Sequence, residues 1–494
     1  MDKQFLSRFL RGSASTSSGT LATILFHFVS IMVLARYMPQ EAFGVYSLII
    51  ILSHGLQILS GLGLNLTMVR FMAGEIEADK RQVFSAIFFL RCGQLAIVTA
   101  LVAWLGDRYL PLLFDADLGP HLAFVPAIFI LASLRELLFH YMQAERRFGP
   151  YAAVQVVSSA VRLASIGVFL WMDWLVIDYL LWIEIITYGL STLHLLAWVP
   201  MRSLLTVPRD RAVFRSILGF GTPLYFNDIL TYAYNRTSVL LIAGLLTPVS
   251  VALYEVASKV PEGFGRLFNS LIVVYFPSMS ELLREGKTRM AEQFMNRALA
   301  IVSAGLTMAS AVTYVFREEI VILLFSEQYL GAALVFALLM INFSLNTVSR
   351  LMGYTIVAAG HASVPVRVNL VSSVLNVVGC LYFLPKFGEL GAVYALFAMS
   401  IASQVMNHWY LTRVGIHATI LPYLKPILIL AALIGLYELA GGDHLALRLV
   451  LLLLFPALCW LLMPEVRSAV RFFGGHAATA KGKLSRVMRG AGSA

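Results

Sequence analysis

The chain has 494 residues, of which 59% are hydrophobic and only 13% are charged, and its mean hydropathy is +0.80. Soluble globular proteins are about half apolar and about one-quarter charged, so this composition excludes an ordinary soluble domain and indicates a protein that folds in a membrane. The formal net charge of +10 is carried on short loops between apolar segments and in a basic tail, which argues against a nucleic-acid partner.

Apolar segments long enough to cross a bilayer follow one another along nearly the whole chain. A spanning helix needs roughly 20 mainly apolar residues, and this criterion predicts an all-α integral membrane protein of about fourteen transmembrane helices. Numbered TM1 to TM14, these segments cover residues 15–37, 43–66, 83–105, 121–143, 150–171, 174–198, 217–246, 252–279, 295–316, 332–358, 365–383, 391–413, 422–439 and 446–463. The first ten residues lack a small-residue cleavage site, so TM1 is expected to be retained.

Basic residues are distributed unequally between alternate loops. With a cytoplasmic N-terminus, the outside segments carry only Arg36, Arg108, Arg236, Arg317, Lys386 and Arg448. The inside segments and the tail carry most of the other lysine and arginine residues. This positive-inside bias predicts that both termini lie in the cytoplasm and that the chain is a multi-pass protein of the plasma (inner) membrane.

The two halves of the sequence resemble each other. Ala35–Tyr46 recurs, shifted by 208 residues, as Ala243–Tyr254, and Leu112–Asp115 corresponds to Leu323–Ser326. An even number of helices in each copy predicts two parallel six-helix repeats with a substrate path between them. The domain organisation expected from this pattern is an N-lobe over residues 1–200, a C-lobe over 201–415, two additional peripheral helices over 416–465 and a basic cytoplasmic tail over 466–494.

Six basic and five acidic residues fall inside the predicted spans. They are Arg91, Arg135, Glu136, Arg162, Glu184, Asp228, Glu255, Lys259, Glu262, Arg266 and Arg350. At roughly 3 kcal/mol each, their exposure to lipid would cost on the order of 30 kcal/mol. We therefore expect them to face a polar interior.

The predicted TM8 carries the most regular group of these charges. Glu255, Lys259, Glu262 and Arg266 follow spacings of four, three and four, which places them on one stripe of a helix and predicts the pairs Glu255–Lys259 and Glu262–Arg266. The stripe is either a structural ion-pair ladder or the wall of a cavity with cations for an anionic ligand. Prolines beside glycines, Pro223 in TM7 and Pro261 in TM8, predict local unwinding of both helices.

Polar residues at helical spacing on several other spans predict a large hydrated cavity. The candidate substrate-binding residues are Arg162, Lys259, Arg266 and Arg350, with Arg91 and Arg135 nearer the cytoplasm. Asp228, Glu255 and Glu262 are candidates for tuning these cations or for binding a coupling proton or sodium ion, and His27 and His54 are candidates for a proton or ligand role. Cys92, Cys380 and Cys459 have no metal-binding or disulfide pattern, and no metal or cofactor is expected.

Short motifs along the whole chain resemble those of the polysaccharide transporter family, the Wzx-type oligosaccharide flippases of the multidrug/oligosaccharidyl-lipid/polysaccharide exporter superfamily. The motifs are Ala35–Tyr46, Phe325–Tyr329, Ala358–His361 and Leu384–Ala392. The resemblance implies two six-helix lobes that form a V around a central cavity, here a cationic one. In one departure from the family pattern, Asn235-Arg236-Thr237 stands where the family often has an aspartate, and the outer mouth is therefore expected to be more cationic.

The resemblance implies that the chain is not an enzyme but a flippase for a polyprenyl-diphosphate-linked oligosaccharide, such as an O-antigen or exopolysaccharide repeat unit. It would move this substrate from the inner to the outer leaflet by alternating access, alongside polysaccharide polymerase or export machinery. Arginine and lysine can replace the hydration of a diphosphate, so the basic interior fits this substrate. The alternatives are a cation-coupled multidrug exporter of the same superfamily, which would favour acids in its cavity, and an intramembrane sugar ligase or polymerase.

Overall fold

A computed structural model of the chain describes residues 3–72, 80–114, 118–145, 147–207, 210–441, 444–464 and 466–467. No β-strand occurs in these ranges. The helices are α1 (Lys3–Tyr37), α2 (Gln40–Leu59), α3 (Leu64–Met72), α4 (Lys80–Leu113), α5 (Phe124–Ala144), α6 (Phe148–Trp171), α7 (Ile177–Trp198), α8 (Met201–Leu204), α9 (Arg211–Leu245), α10 (Pro248–Arg284), α11 (Thr288–Val315), α12 (Arg317–Leu324), α13 (Ala333–Ala358), α14 (Ser363–Phe387), α15 (Glu389–Arg413), α16 (Ile420–Leu439) and α17 (Leu445–Leu462). Two 3₁₀ turns, Gly119–His121 and Glu327–Ala332, connect some of them.

Each predicted membrane segment except TM2 coincides with a long helix, and the all-helical membrane fold is confirmed. Nine helices in the described part of the chain are long and apolar enough to cross a membrane, and Leu21–Tyr37 and Ala446–Leu462 are shorter apolar helices. The helices α9 and α10 are not among the nine, because their polar and charged residues lower the hydropathy of every window along them. Of the predicted basic tail, 466–494, the residues from 468 onward lie outside the described residues.

The predicted TM2 is interrupted, which the hydropathy pattern did not indicate. The helix α2 ends at Leu59 and α3 begins at Leu64, and between them Leu62 and Gly63 have φ values of 44° and 64°. A Cβ atom on Gly63 would lie 2.2 Å from the carbonyl oxygen of Gly221 in α9. The left-handed backbone at Gly63 thus permits a close approach of two backbones that a larger residue would prevent.

The predicted unwinding at the prolines is wrong for this structure. The helix α9 continues through Pro223, and α10 continues through Pro261 and Pro277. A proline removes only one donor from the hydrogen-bond ladder, and in a membrane helix the adjacent turns and neighbouring groups compensate for it.

The chain divides into two compact units that are not contiguous in sequence. The first unit comprises Met1–Lys259, Val321–Ala332 and Asn376–Tyr394, and the second comprises Val260–Ile320, Ala333–Leu375 and Ala395–Ala494. Division into lobes at residues 200 and 415 remains a prediction.

Each unit has its own apolar core. In the first unit, buried residues of α3, α4, α5 and α7 such as Met68, Phe84 and Leu138 form one cluster. In the second unit, α16 and α17 pack on α11, with Leu433 and Phe455 among the buried residues at that contact.

Two of the segments that carry the family resemblance, Ala35–Tyr46 and Phe325–Tyr329, pack together inside the first unit. A Cβ atom on Gly44 would lie 1.9 Å from the carbonyl oxygen of Pro248, so α2 contacts the first turn of α10 directly. The side-chain amide of Gln328 donates to the carbonyl oxygens of Ala35, at 2.7 Å, and Met38, at 3.1 Å. It thereby satisfies carbonyl groups that the end of α1 leaves without intrahelical partners.

This packing predicts that Gly44→Ala will destabilise the protein. The added methyl group must displace the backbone at Pro248, and overpacking of this kind costs about 1–3 kcal/mol. The matched control is Gly167→Ala in α6, where a Cβ atom would meet nothing within 4 Å, so that substitution should be neutral or slightly stabilising. Thermal unfolding of the two purified variants in detergent tests the difference, and equal unfolding temperatures would contradict it.

Candidate substrate site

The first unit contains a buried ion pair that connects three helices. Arg162 on α6 donates from Nε to Oε1 of Glu184 on α7 at 2.5 Å, and from Nη2 to the hydroxyl oxygen of Tyr46 on α2 at 2.8 Å. The Tyr46 hydroxyl in turn donates to the same carboxylate oxygen at 2.6 Å. Only 10% of the Arg162 side chain and 7% of the Glu184 side chain are exposed. The pair is therefore satisfied within the protein except at Nη1 of Arg162, which is buried without a hydrogen-bond partner.

Arg135 lies in the same unit but is held in a different way. Its guanidinium stacks on the ring of Tyr188, at 4.5 Å from the centroid, and on the ring of Phe139, at 5.4 Å. Its Nε atom is buried without a hydrogen-bond partner. No carboxylate in the described part of the chain forms an ion pair with Arg135, so its charge is balanced by aromatic faces alone at contact distance.

His54 lies near both the Arg162–Glu184 ion pair and Arg135. Its Nε2 atom lies 3.1 Å from the Tyr188 hydroxyl, and Glu184, Arg135 and Arg162 are all within electrostatic range of the ring. The predicted residues Arg135, Arg162 and His54 are therefore brought together, on helices α5, α6 and α2.

A second carboxylate of the first unit accepts two cations. Glu255 on α10 pairs with Lys259 one turn later, as the spacing predicts, and its Oε1 atom lies 3.4 Å from Nη1 of Arg236 on α9. Arg236 lies inside α9, and the expectation that it makes the outer mouth more cationic remains a prediction. The pairing satisfies Glu255, which is almost completely buried.

Arg91 is almost completely buried at the break between α2 and α3. Its guanidinium donates to the carbonyl oxygen of Ser60, at 3.2 Å, and to Oδ1 of Asn65, at 2.9 Å. Its Nε atom is buried without a hydrogen-bond partner. Arg91 thus holds the interrupted TM2 together and also retains one unsatisfied donor.

The second unit contains the remaining predicted cations. Arg350 on α13 donates to Oδ1 of Asn269 at 2.9 Å, and its guanidinium lies 5.3 Å from the centroid of the Phe268 ring. Arg266 is exposed, and within the described residues it forms no ion pair with Glu262, so that predicted pair is wrong. A spacing of four permits an ion pair on a helix, but an exposed arginine gains little from one.

Two further predicted residues lie at exposed positions. Asp228 on α9 and His27 on α1 are both exposed, and Asp228 is within electrostatic range of His140. Among the residues that the structure describes, no group of three or more His, Cys, Asp or Glu side chains is arranged to bind a metal ion.

Sequence reasoning missed three residues that contact the buried charges. Tyr46 contacts Arg162 and Glu184, Tyr188 contacts Arg135, and Arg236 contacts Glu255. Tyr46 is the last residue of the repeated motif, and Tyr188 follows Glu184 by one helical turn, so both positions carried a signal. Apolar periodicity treats a tyrosine as a core residue, however, and does not reveal that its hydroxyl serves a buried charge.

Residues 9–283 match the family described as "Polysaccharide biosynthesis protein". The "Probable low-salt glycan biosynthesis flippase Agl15" of Haloferax volcanii is 24% identical over 195 residues, which are 39% of this chain and 41% of that protein. The chain thus aligns with less than half of this curated relative.

Two solved structures share the fold over most of their length. The "Lipid II flippase MurJ, inward closed conformation" has a TM-score of 0.70 at 12% identity, covering 90% of this chain and 98% of its own. An inward-facing MATE family multidrug resistance transporter of the MOP superfamily has a TM-score of 0.64 at 12% identity, covering 80% of this chain and 94% of its own.

The Arg162–Glu184–Tyr46 network predicts a large difference between breaking the pair and replacing it. Glu184→Leu alone leaves a buried arginine without its counter-ion and should cost about 3–5 kcal/mol. The triple variant Tyr46→Phe, Arg162→Met and Glu184→Leu removes every buried polar group of the network and should recover most of that loss. Thermal unfolding in detergent measures both, and a triple variant as unstable as the single one would refute this account.

Proposed function

Since the chain belongs to the polysaccharide biosynthesis protein family, we propose that it is a flippase that translocates a polyprenyl-diphosphate-linked oligosaccharide from the inner to the outer leaflet. The flippase named among its curated relatives and the lipid II flippase among its structural neighbours support a lipid-linked glycan as the substrate. The diphosphate is the part of this substrate that is hardest to move through a bilayer, because its negative charge must leave water.

The observation that carries the proposal is the buried, cation-rich interior of the first unit. Arg135 has no carboxylate partner in the described chain, and Arg91, Arg135 and Arg162 each retain a buried guanidinium nitrogen without a hydrogen-bond partner. A guanidinium that already sits in a low-dielectric site has lost much of its hydration. It can therefore exchange the remaining solvent for phosphate oxygens at little further cost.

The six proposed substrate contacts fall into two groups by their present partners. Arg162 and Lys259 are paired with Glu184 and Glu255, so an anionic ligand would compete with a carboxylate for them. The other four, Arg91, Arg135, Arg266 and Arg350, have no ion-pair partner in the described residues. Within the first unit, we propose Arg135 as the first diphosphate contact. Arg266 and Arg350 are proposed contacts of the second unit, each considered within that unit.

The acids and histidines keep a secondary role in the proposal. Glu255 and Glu262 would weaken the hold of nearby cations on the substrate and so assist release, and Asp228, His27 and His54 are proposed coupling or proton-binding positions. The protein would act without a cofactor in the plasma (inner) membrane, with both termini in the cytoplasm, and would deliver its substrate to polysaccharide polymerase or export machinery.

Alternating access requires that contacts at the outer ends of the helices open and close. On the predicted topology, the connection between α1 and α2 and the turn Glu327–Ala332 both face outward. Gln328 binds this connection through the carbonyl oxygens of Ala35 and Met38, and Gln40 donates back to the carbonyl oxygen of Gln328. We propose that these hydrogen bonds break each time the outer side opens.

The rival function is a multidrug exporter, for which the opposite ligand charge is expected. A cavity for organic cations would present carboxylates to its ligand, whereas Glu184 and Glu255 here each contact two hydrogen-bonding or cationic partners of the protein. An intramembrane sugar ligase or polymerase would need a catalytic cluster.

The first prediction of the flippase proposal concerns Arg135. Arg135→Ala should weaken binding of a polyprenyl diphosphate by about tenfold or more, because a charged hydrogen bond is worth about 1.5–3 kcal/mol. Arg135→Lys should retain part of the binding, since it keeps the charge and loses the planar stacking. Thermal stabilisation of purified protein by polyprenyl diphosphate, with neutral polyprenol as the uncharged comparison, measures the effect.

The control variant is Lys386→Ala, which removes an exposed cation that stacks on Tyr382 in α14 and should leave binding unchanged. In cells, Arg135→Ala should accumulate lipid-linked oligosaccharide on the cytoplasmic side at normal protein abundance. Stabilisation by an organic cation such as ethidium, with no response to polyprenyl diphosphate, would instead favour the multidrug exporter.

The second prediction concerns the hydrogen bonds of Gln328. A variant with Cys92, Cys380 and Cys459 replaced by alanine, and with Gln40→Cys and Gln328→Cys added, should form a disulfide on oxidation. The crosslinked protein should bind substrate but not export it, and reduction should restore export. The single variant Gln40→Cys in the same background is the control. Export at a normal rate by fully crosslinked protein would show that the connection does not open during transport.

A further inference from the structure

A polar pocket in the second unit lies outside the substrate site and serves no part of the proposed mechanism. It has a volume of about 270 Å³. Its lining comes from the end of α11, the start of α12, the end of α16 and the start of α17, and it includes Arg317, Glu318, Glu319, Tyr437, Glu438 and Arg448. All of these residues belong to the second unit, so the pocket is a feature of that unit alone.

The pocket carries both signs of charge, with acids in excess. Two arginines face three glutamates. Nη1 of Arg317 lies 3.7 Å from Oε1 of Glu438, which also accepts a hydrogen bond from the Tyr314 hydroxyl at 2.8 Å, and Arg448 pairs with Glu319. Glu318 has no ion-pair partner in the described residues. The carboxylate of Glu318 favours a positive group on a ligand, and the two arginines beside it favour a negative group on the same ligand.

The pocket offers a hydrogen-bond donor for a negative ligand group and carboxylate acceptors for a positive one. The Nε atom of Arg448 is buried without a hydrogen-bond partner, and this donor matches a phosphate oxygen. Glu318 and Glu438 are carboxylate acceptors for an ammonium group. Arg317 is fixed at the rim of the pocket by its stacking on the Tyr314 ring, at 4.8 Å from the centroid, and by a hydrogen bond to the Tyr314 carbonyl oxygen.

The surroundings of the pocket indicate that the ligand is an amphiphile. The helices α16 and α17 are about 20 residues long or slightly shorter, so the pocket at their ends lies near the level of the lipid headgroups. Below it, both helices present exposed apolar side chains, including Leu436 at 62%, Leu439 at 87% and Leu453 at 72% exposure. Acyl chains can pack on such a face while the headgroup occupies the pocket.

We propose that this pocket binds the headgroup of a zwitterionic aminophospholipid, a membrane lipid with a phosphate diester next to a primary ammonium group. The phosphate contacts Arg448 and Arg317, and the ammonium donates hydrogen bonds to Glu318 and Glu438. A primary ammonium fits better than a quaternary one because it supplies N–H donors to the carboxylates. The bound lipid has a structural role, because it anchors α16 and α17 to the headgroup layer. This proposal does not depend on the flippase proposal.

The test is lipid retention by the purified full-length protein. The protein is extracted from nanodiscs that contain equal amounts of phosphatidylethanolamine, phosphatidylcholine and phosphatidylglycerol, and bound lipids are counted by native mass spectrometry. We expect preferential retention of phosphatidylethanolamine. Glu318→Gln with Glu438→Gln should lower that preference by about tenfold or more, because it removes both charged acceptors.

The matched control is Glu285→Gln, which neutralises an exposed, ion-paired acid at the turn between α10 and α11 and should leave the preference unchanged. Because Glu318 is exposed, Glu318→Gln alone should fold normally and lower the preference in part. Equal retention of the three lipids, or an unchanged preference in the double variant, would overturn the proposal. Failure of the flippase function leaves these readouts unaffected, so the two proposals are tested separately.

Discussion

The cost of a charge in a medium that cannot hydrate it governs how the helices of the first unit associate. Arg162 is tolerable inside the bundle only because Glu184 and Tyr46 approach it from two other helices. Apolar side chains meet lipid as readily as they meet each other, so they do not select neighbours in a bilayer. The buried ion pair does, and it aligns α2, α6 and α7 at a single level.

The same reasoning explains which parts of the structure the sequence predicts. Helix positions follow from local apolar length, and the pair Glu255–Lys259 follows from a spacing of four, so both were predictable. The pair Arg162–Glu184 joins residues that are 22 positions apart on different helices, and no local period encodes it. The pair Glu262–Arg266 had the right spacing but is not formed, since spacing permits an interaction without requiring it.

Backbone contacts were still less visible in the sequence than ion pairs. The hydropathy pattern predicts one span over α2 and α3, because Leu62 and Gly63 in the connection are apolar. The helix is broken there by the positive φ angles of these two residues, which hydropathy does not reveal. The repeated motif pointed to Gly44 and Pro248 as equivalent regions of two repeats, but not to their direct contact. A glycine in a helix signals such a contact only when the partner is known, and the partner is more than two hundred residues away.

A transporter must release its ligand as well as bind it, and the way in which cations are balanced bears on both steps. A cation held by a carboxylate at hydrogen-bond distance must exchange one strong partner for another before it can bind phosphate. A cation that rests on aromatic rings, as Arg135 rests on Tyr188 and Phe139, keeps those contacts while phosphate approaches from another side. Each ring contributes only about 0.5–2 kcal/mol. In the proposed flippase, the rings would thus hold the guanidinium in place when no phosphate is bound, and the difference in energy between its two states would stay small enough for release.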